Sequence, residues 1–356
     1  MDLDPAQQGE AYQGFSPSTY GASAPYVPPV APPPVPYVRP LSTGEVLDRT
    51  FTLYRQRFWL FVGIGMLPAG TLLLTSSIRL LWLALTHQTS ALRPSIATAP
   101  GASANVVGAL LASQMYFLPL SFLFLIAYGI SHAATVDAVN RIGLGAEVSV
   151  GEAYGAVRGR WLRWCGIVTR QFWSMAWPVL PGLAAVFGMF AYISARRDTN
   201  NPALIGVLTL LGLALMLGGL VLGVINFIRN TLAVAASVTE NIGVNAAMRR
   251  SKVLVAGRKG RIFLALLLFY ALEMVIATIQ MPLLFAAMNL RGGAFVAVQA
   301  VTMLIQFVAV ALVSPVASIA FTLFYIDERV RREGYDIELL MRRTLPMADT
   351  AALREI

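Results

Sequence analysis

Five polar side chains stand inside otherwise apolar sequence: Glu273, Arg170, Gln280, Gln299 and Gln306. A carboxylate in hydrocarbon is costly to ionise, so Glu273 either titrates in a proton or substrate pathway or is neutralised by a partner. Counting at about 1.5 Å per residue puts Glu273 near the bilayer midplane and Arg170 roughly a third of the way in from the inner end. A flexible arginine could then reach the glutamate across a bundle, with the glutamines as polar companions. The favoured reading is structural, a buried ion pair or a protonated glutamate that fixes helix packing, because a transport site gathers more convergent polar groups than one carboxylate.

Other chemistry is sparse. His87 and His132 are the only histidines and fall on different spans or their edges, while Cys165 is the only cysteine. No phosphate-cradling glycine loop, metal-ligand cluster or nucleophile–base motif stands out. The expectation is a protein with no catalytic residues, no metal and no cofactor. An intramembrane enzyme with scattered residues is the least favoured alternative.

The more numerous chemical groups are basic. Arg55, Arg57, Arg158, Arg160, Arg163, Arg249, Arg250, Lys252, Arg258 and Lys259 precede or enter apolar runs, where they suit anionic lipid headgroups. The formal net charge of +9 would suggest nucleic acid on a soluble face, but these charges lie between apolar stretches, so the expected polyanion is the inner leaflet. Arg79 and Arg229 fall near the interfaces, where snorkelling explains them cheaply.

The elements that position these groups follow from composition. Hydrophobic residues make up 57% of the 356, charged residues 13%, and the mean hydropathy is +0.66. Apolar stretches recur at roughly 58–85, 105–135, 165–194, 203–238, 262–290 and 294–326, each long enough for one membrane helix. The predicted fold class is all-α, a polytopic integral membrane protein of about six transmembrane helices. Arginine and lysine cluster around Arg39–Arg57, Arg141–Arg163, Arg249–Arg261 and Arg329–Arg354, whereas the alternate loops hold only Arg93, Arg196, Arg197 and Arg291. By the positive-inside rule both termini are cytoplasmic. Pro68, Pro119, Pro178, Pro181, Pro282 and Pro315 read as kinks within spans, and Gly219-x-x-x-Gly223 permits close helix approach with a weak dimer signal.

Ser42-Thr-Gly-Glu45 and Ser149-Val-Gly-Glu152 both have capping-box form and precede odd-numbered spans. After the first, Leu47, Phe51, Tyr54 and Phe58 share a stripe; after the second, Tyr154, Val157, Trp161 and Trp164 do. These predict interfacial helices with aromatic faces among acyl chains and arginines at headgroups. A divergent third copy begins near Asn241-Ile-Gly243, where asparagine is the expected cap. The unit of interfacial helix plus transmembrane hairpin would then repeat three times in parallel, over about 41–141, 142–241 and 242–343, within a membrane domain 41–343. The segment Asp327–Arg343 reads as a solvated or interfacial helix with a break at Gly334, followed by a cytoplasmic tail, 344–356.

Residues 1–40 hold half of the chain's 20 prolines and read as a disordered cytoplasmic tail. A near-repeat, Pro25-Tyr-Val-Pro-Pro and Pro36-Tyr-Val-Arg-Pro, could dock on an aromatic groove of a cytoplasmic partner; the plain unstructured tail is preferred.

Leu41-Ser-Thr-Gly-Glu-Val-Leu-Asp-Arg-Thr-Phe-Thr-Leu-Tyr-Arg55 resembles the opening of the bacterial glycerophosphoryl diester phosphodiesterase membrane-domain family. Met248-Arg-Arg-Ser251 and Phe324-Tyr-Ile-Asp-Glu-Arg-Val-Arg-Arg-Glu-Gly-Tyr-Asp336 are similar to its later motifs. The resemblance covers roughly residues 41 to 343 and implies a bacterial cytoplasmic membrane protein. Some members of that family fuse the membrane region to a soluble phosphodiesterase barrel with metal-binding carboxylates and paired histidines, which this chain lacks. The expected function is non-catalytic association with anionic lipid and recruitment of a partner; the alternative is a permease or lipid-moving protein with a site near Glu273.

Overall fold

The computed structural model describes residues 40–85, 102–196, 202–290 and 292–335. The proline-rich tail, Arg93, Arg197, Arg291 and everything after residue 335 lie outside the described residues. Those described belong to one compact unit, Val38–Ile356. Among them the regular elements are helices: α1 (Thr43–Gln56), α2 (Phe58–Leu85), α3 (Ala102–Gly143), α4 (Val150–Arg158), α5 (Trp161–Ala176), α6 (Leu180–Arg196), α7 (Pro202–Asn230), α8 (Ala233–Glu240), α9 (Val244–Val255), α10 (Lys259–Asn289) and α11 (Gly292–Glu333).

Five stretches are long and apolar enough to cross a membrane: Phe58–Trp82, Pro119–Gly143, Ile205–Glu240, Lys259–Ala287 and Gly292–Glu333. A sixth is formed if α5 and α6 are one span, bent by 53°. The sequence predicts that third span as one continuous helix. It breaks because Pro178 has no N–H to donate and its ring clashes with the preceding turn; the chain crosses the break by tight bonds from Val179 N to Ala176 O and Leu180 N to Trp177 O. Pro68, Pro119, Pro282 and Pro315 remain inside continuous helices.

The fourth predicted span is also interrupted, between α7 and α8. Ser251 of α9 is fully buried there: its Oγ donates to Arg229 O (2.9 Å) and accepts from Leu232 N (3.1 Å). A side chain inserted into the helical ladder replaces the bonds the break removes.

Both capping boxes form. Ser42 Oγ accepts from Glu45 N (3.2 Å) and Glu45 Oε2 from Ser42 N (2.6 Å); the Ser149–Glu152 pair repeats this at 3.3 and 2.9 Å. Before α9 the expected asparagine cap is absent: Gly243 takes the N-cap with no side-chain bond. Asn241 instead terminates α8 in the left-handed region, φ 53°, which asparagine tolerates better than most residues.

Hydrogen bonds from Ser149 hold the Glu152 carboxyl below its ordinary range. A lowered folded value means that this stabilisation is complete above the unfolded glutamate pKa, about 4.3, and is lost as pH falls through the folded value. Ser149→Ala should cost about 1 kcal/mol at neutral pH, and Glu152→Gln should flatten the acid limb. Thermal melts in detergent across pH 3–7 (roughly the titration range of a carboxylate) test both; parallel wild-type and Glu152→Gln curves would refute the second.

The amphipathic helices turn only part of the predicted faces outward. In α1 the buried positions are Val46 and Thr50, whereas Phe51 is exposed. Val157 and Trp164 are buried, Trp164 Nε1 donating to Val157 O (3.0 Å), and Trp161 and Leu162 face out. The cause is packing: α4 and α5 both lie on α3, and the protein core takes the apolar surface assigned by sequence to lipid.

The core gathers at the end where α1, α4, α8 and α9 cluster, hereafter the capped end. Phe61, Ile64, Ile167, Leu232, Leu254, Ile262, Ile319, Phe324 and Tyr325 are fully buried there. α1 packs on α11, α4 on α3 and α9 on α8; α2 lies between α11 and α3, and α5 between α3 and α7. α10 packs on α11 but touches α7 only lightly. Gly219 and Gly223 bring α7 against the Pro178 and Met175 carbonyls, so this glycine pair serves a contact within the chain.

Candidate lipid-facing basic rim

Half of the predicted headgroup contacts are engaged inside the protein. Arg160 and Arg163 (2.9 Å) both donate to Asn241 Oδ1, clamping the α8–α9 corner. Arg250 lies between Glu240 (2.8 Å) and Glu333 (2.6 Å), and the bond to Glu333 raises its pKa further above the ordinary arginine value. Arg258 approaches Glu328 (3.3 Å) and Arg57 approaches Glu147 (3.8 Å).

The other half have no internal partner among the described residues: Arg55, Arg158, Arg249, Lys252 and Lys259 are exposed on the capped end. No described acid forms an ion pair with these five, exposed Asp48 of α1 included. Glu45 and Glu152 close capping boxes, Asp137 pairs with Arg141, and Glu240, Asp327, Glu328 and Glu333 are held by other arginines.

Arg158 has a second feature beside it. A groove of about 410 Å³ runs between α3 and α4, lined by Ile130, Gly151, Tyr154, Gly155, Arg158 and Trp161. Gly151, Gly155 and Arg158 recur at helical spacing on one face, and a Cβ on either glycine would meet nothing within 4 Å. Tyr154 is fixed by donating to Ile64 O (2.5 Å), and burial pushes its phenol up to about 12, so it stays protonated. The groove offers one arginine, an indole and apolar walls.

The C-terminal part of α11, which the sequence predicts as a solvated or interfacial helix, instead carries a buried charge cluster. Asp327 and Glu328 are buried, with side chains 0% and 2% exposed. Arg261 donates to Asp327 (2.8 Å), Glu328 (3.0 Å), Leu41 O (2.8 Å) and Thr43 Oγ1 (3.1 Å), and Leu41 N donates to Asp327 (2.7 Å). The first and last helices are thereby tied together. Gly334 does end α11, at φ 62°. The pairing of opposite charges at helical spacing resembles a solvated face; only burial separates the two cases.

The predicted intramembrane site comes together in part. Gln280 Nε2 donates to Gln306 Oε1 (3.0 Å) between α10 and α11. Arg170 does not reach Glu273: its guanidinium donates to Asn245 of α9 (2.5 Å), because α5 ends at the Pro178 break and its charged face lies along α9. Glu273 is exposed, and no described side chain pairs with it. His132 is buried against the Tyr128 ring (6.0 Å). Among the described residues no group of three or more His, Cys, Asp and Glu side chains could hold a metal.

Neither a protein-family model, nor a curated protein, nor a solved structure matches this chain.

Proposed function

We propose that this chain is a non-catalytic, multi-pass protein of a bacterial cytoplasmic membrane that holds anionic lipid at the inner leaflet, with the capped end and both termini cytoplasmic. The carrying observation is the division of the basic residues: five have internal partners, and Arg55, Arg158, Arg249, Lys252 and Lys259 do not. Cations at a membrane surface attract anionic headgroups by about 1 kcal/mol each, roughly fivefold in affinity. The groove beside Arg158 supplies a place for one headgroup and part of its chain.

A three-unit, six-span arrangement belongs to this reading, as does kinship with the glycerophosphoryl diester phosphodiesterase membrane domain through its membrane part alone. The support is cyclic packing: each amphipathic helix, α1, α4 and α9, lies on the closing helix of another unit, α11, α3 and α8. The proline-rich tail would recruit a cytoplasmic partner. The permease alternative lacks convergent groups around Glu273.

The test is retention of phosphatidylglycerol over phosphatidylcholine by the purified full chain, read by native mass spectrometry. Arg158→Gln should reduce the preference roughly fivefold. Equal preference in wild type and the variant with all five unpartnered residues changed to glutamine would overturn the proposal.

A further inference from the structure

Glu273 sits at the middle of α10, about 20 Å along the helix axis from Lys259, and it is exposed. Its place on the helix would ordinarily bury it. Phe269, one turn earlier, packs edge-on against Phe321 of α11 (5.9 Å between ring centres), and Gln280, two turns later, donates to Gln306 of α11 (3.0 Å). Residues four and seven apart share a helix face, so Glu273 belongs to the stripe that meets α11 on either side of it. Between those two contacts α10 stands away. Tyr270, Ala271, Leu272, Glu273, Met274 and Val275 are all exposed, a run longer than one turn, so exposure here goes round the whole helix. The reason lies in α11, whose Ala311 and Pro315, between Gln306 and Phe321, close on Gly65 of α2 instead.

A carboxyl group exposed on an apolar, membrane-long helix is costly unless a partner meets it. Acyl chains can fill the space beside α10, but they offer neither charge nor a hydrogen bond. Complementarity therefore asks for a cation at the depth of Glu273, where a low dielectric strengthens the attraction. A second copy of this chain does not supply one. Arg170 is held by Asn245, Arg79 lies near the end of α2 and Arg229 near the end of α7. Packing α10 on its own copy would set carboxyl against carboxyl.

We propose that the exposed middle of α10 is a docking surface for a transmembrane helix of another protein that carries a lysine or arginine opposite Glu273. Leu272, Met274 and Val275 supply the apolar flanks of that contact. The surface is separate from the basic rim and stands whether or not the rim holds lipid.

The experiment uses the full chain, labelled with an energy-transfer donor, in phosphatidylcholine vesicles. The probes are acceptor-labelled peptides of about 20 leucine and alanine residues, identical but for a central lysine, leucine or glutamate. The lysine peptide should associate about tenfold more tightly than the leucine peptide. That preference should vanish in Glu273→Leu and shrink in Glu273→Gln, which keeps a hydrogen-bonding group without the charge. Glu273→Lys should transfer the preference to the glutamate peptide. None of these changes removes an internal contact among the described residues, so each variant should keep the wild-type melting temperature; the wild-type comparison of the three peptides stands even where a variant does not fold. The absence of a lysine preference in wild type, or an equal preference in Glu273→Leu, overturns the proposal. Self-association of the full chain that Glu273→Leu abolishes, without a lysine preference, gives the surface to a second copy and overturns it equally.

Discussion

Arg261→Ala is expected to destabilise the protein by about 3–5 kcal/mol, the cost of removing one partner from a buried charge cluster. This guanidinium bridges Asp327 and Glu328 in the core, with all three of its nitrogens engaged. The value should fall toward the lower end, because Arg331 still meets Asp327 (3.0 Å) and Arg258 still meets Glu328 (3.3 Å). Two controls separate lost charge pairing from lost packing. Arg261→Lys should recover only part, since a point charge cannot bridge both carboxylates and the Leu41 carbonyl. Adding Asp327→Asn and Glu328→Gln to Arg261→Ala should recover more than half, because no buried charge is then uncompensated. Denaturant unfolding in detergent reads all three, and a loss below about 1 kcal/mol for Arg261→Ala would remove the core role assigned to this cluster.

Gly65→Leu should disrupt the most extensive interhelical contact in the molecule, between α2 and α11. A Cβ at this position would lie 2.8 Å from Pro315 Cγ and against the Ala311 carbonyl, so backbone rather than a flexible side chain must yield. Overpacking of this kind costs about 1–3 kcal/mol, and a leucine should reach or exceed the upper end. Gly70 lies on the same helix with nothing within 4 Å of its Cβ direction, so Gly70→Ala should be neutral or stabilise by up to about 1 kcal/mol through helix propensity. Comparison of monodispersity and melting temperature for the two variants is decisive; equal behaviour would mean that the α2–α11 approach is not tight.

Tertiary packing also reassigns residues whose types are plain in the sequence. Arg158, Arg160 and Arg163 sit within six positions and look equivalent as headgroup ligands. Asn241, brought alongside by the α8–α9 corner, takes two of them and leaves Arg158 at the groove. Trp161 and Trp164 divide in the same way, one outward and one 2% exposed. Ser251 gives no sign in sequence of occupying a helix break, because its two partners, Arg229 and Leu232, belong to the fourth predicted span, whereas Ser251 falls in the interfacial segment before the fifth.

What the sequence determined by itself was everything local. Hydropathy over some twenty residues sets which segments can cross a membrane, and a serine three positions before a glutamate sets where α1 and α4 begin. Arginine spacing marked the basic segments for the same reason, since charge needs no partner to be counted. Tertiary structure alone decided which of those charges are free, that Asp327 and Glu328 are core residues, and that Arg170 meets Asn245 rather than Glu273. Such outcomes rest on contacts between residues as distant as Leu41 and Asp327, 286 positions apart. Burial and partnership are properties of those contacts, and no window of neighbouring residues contains them.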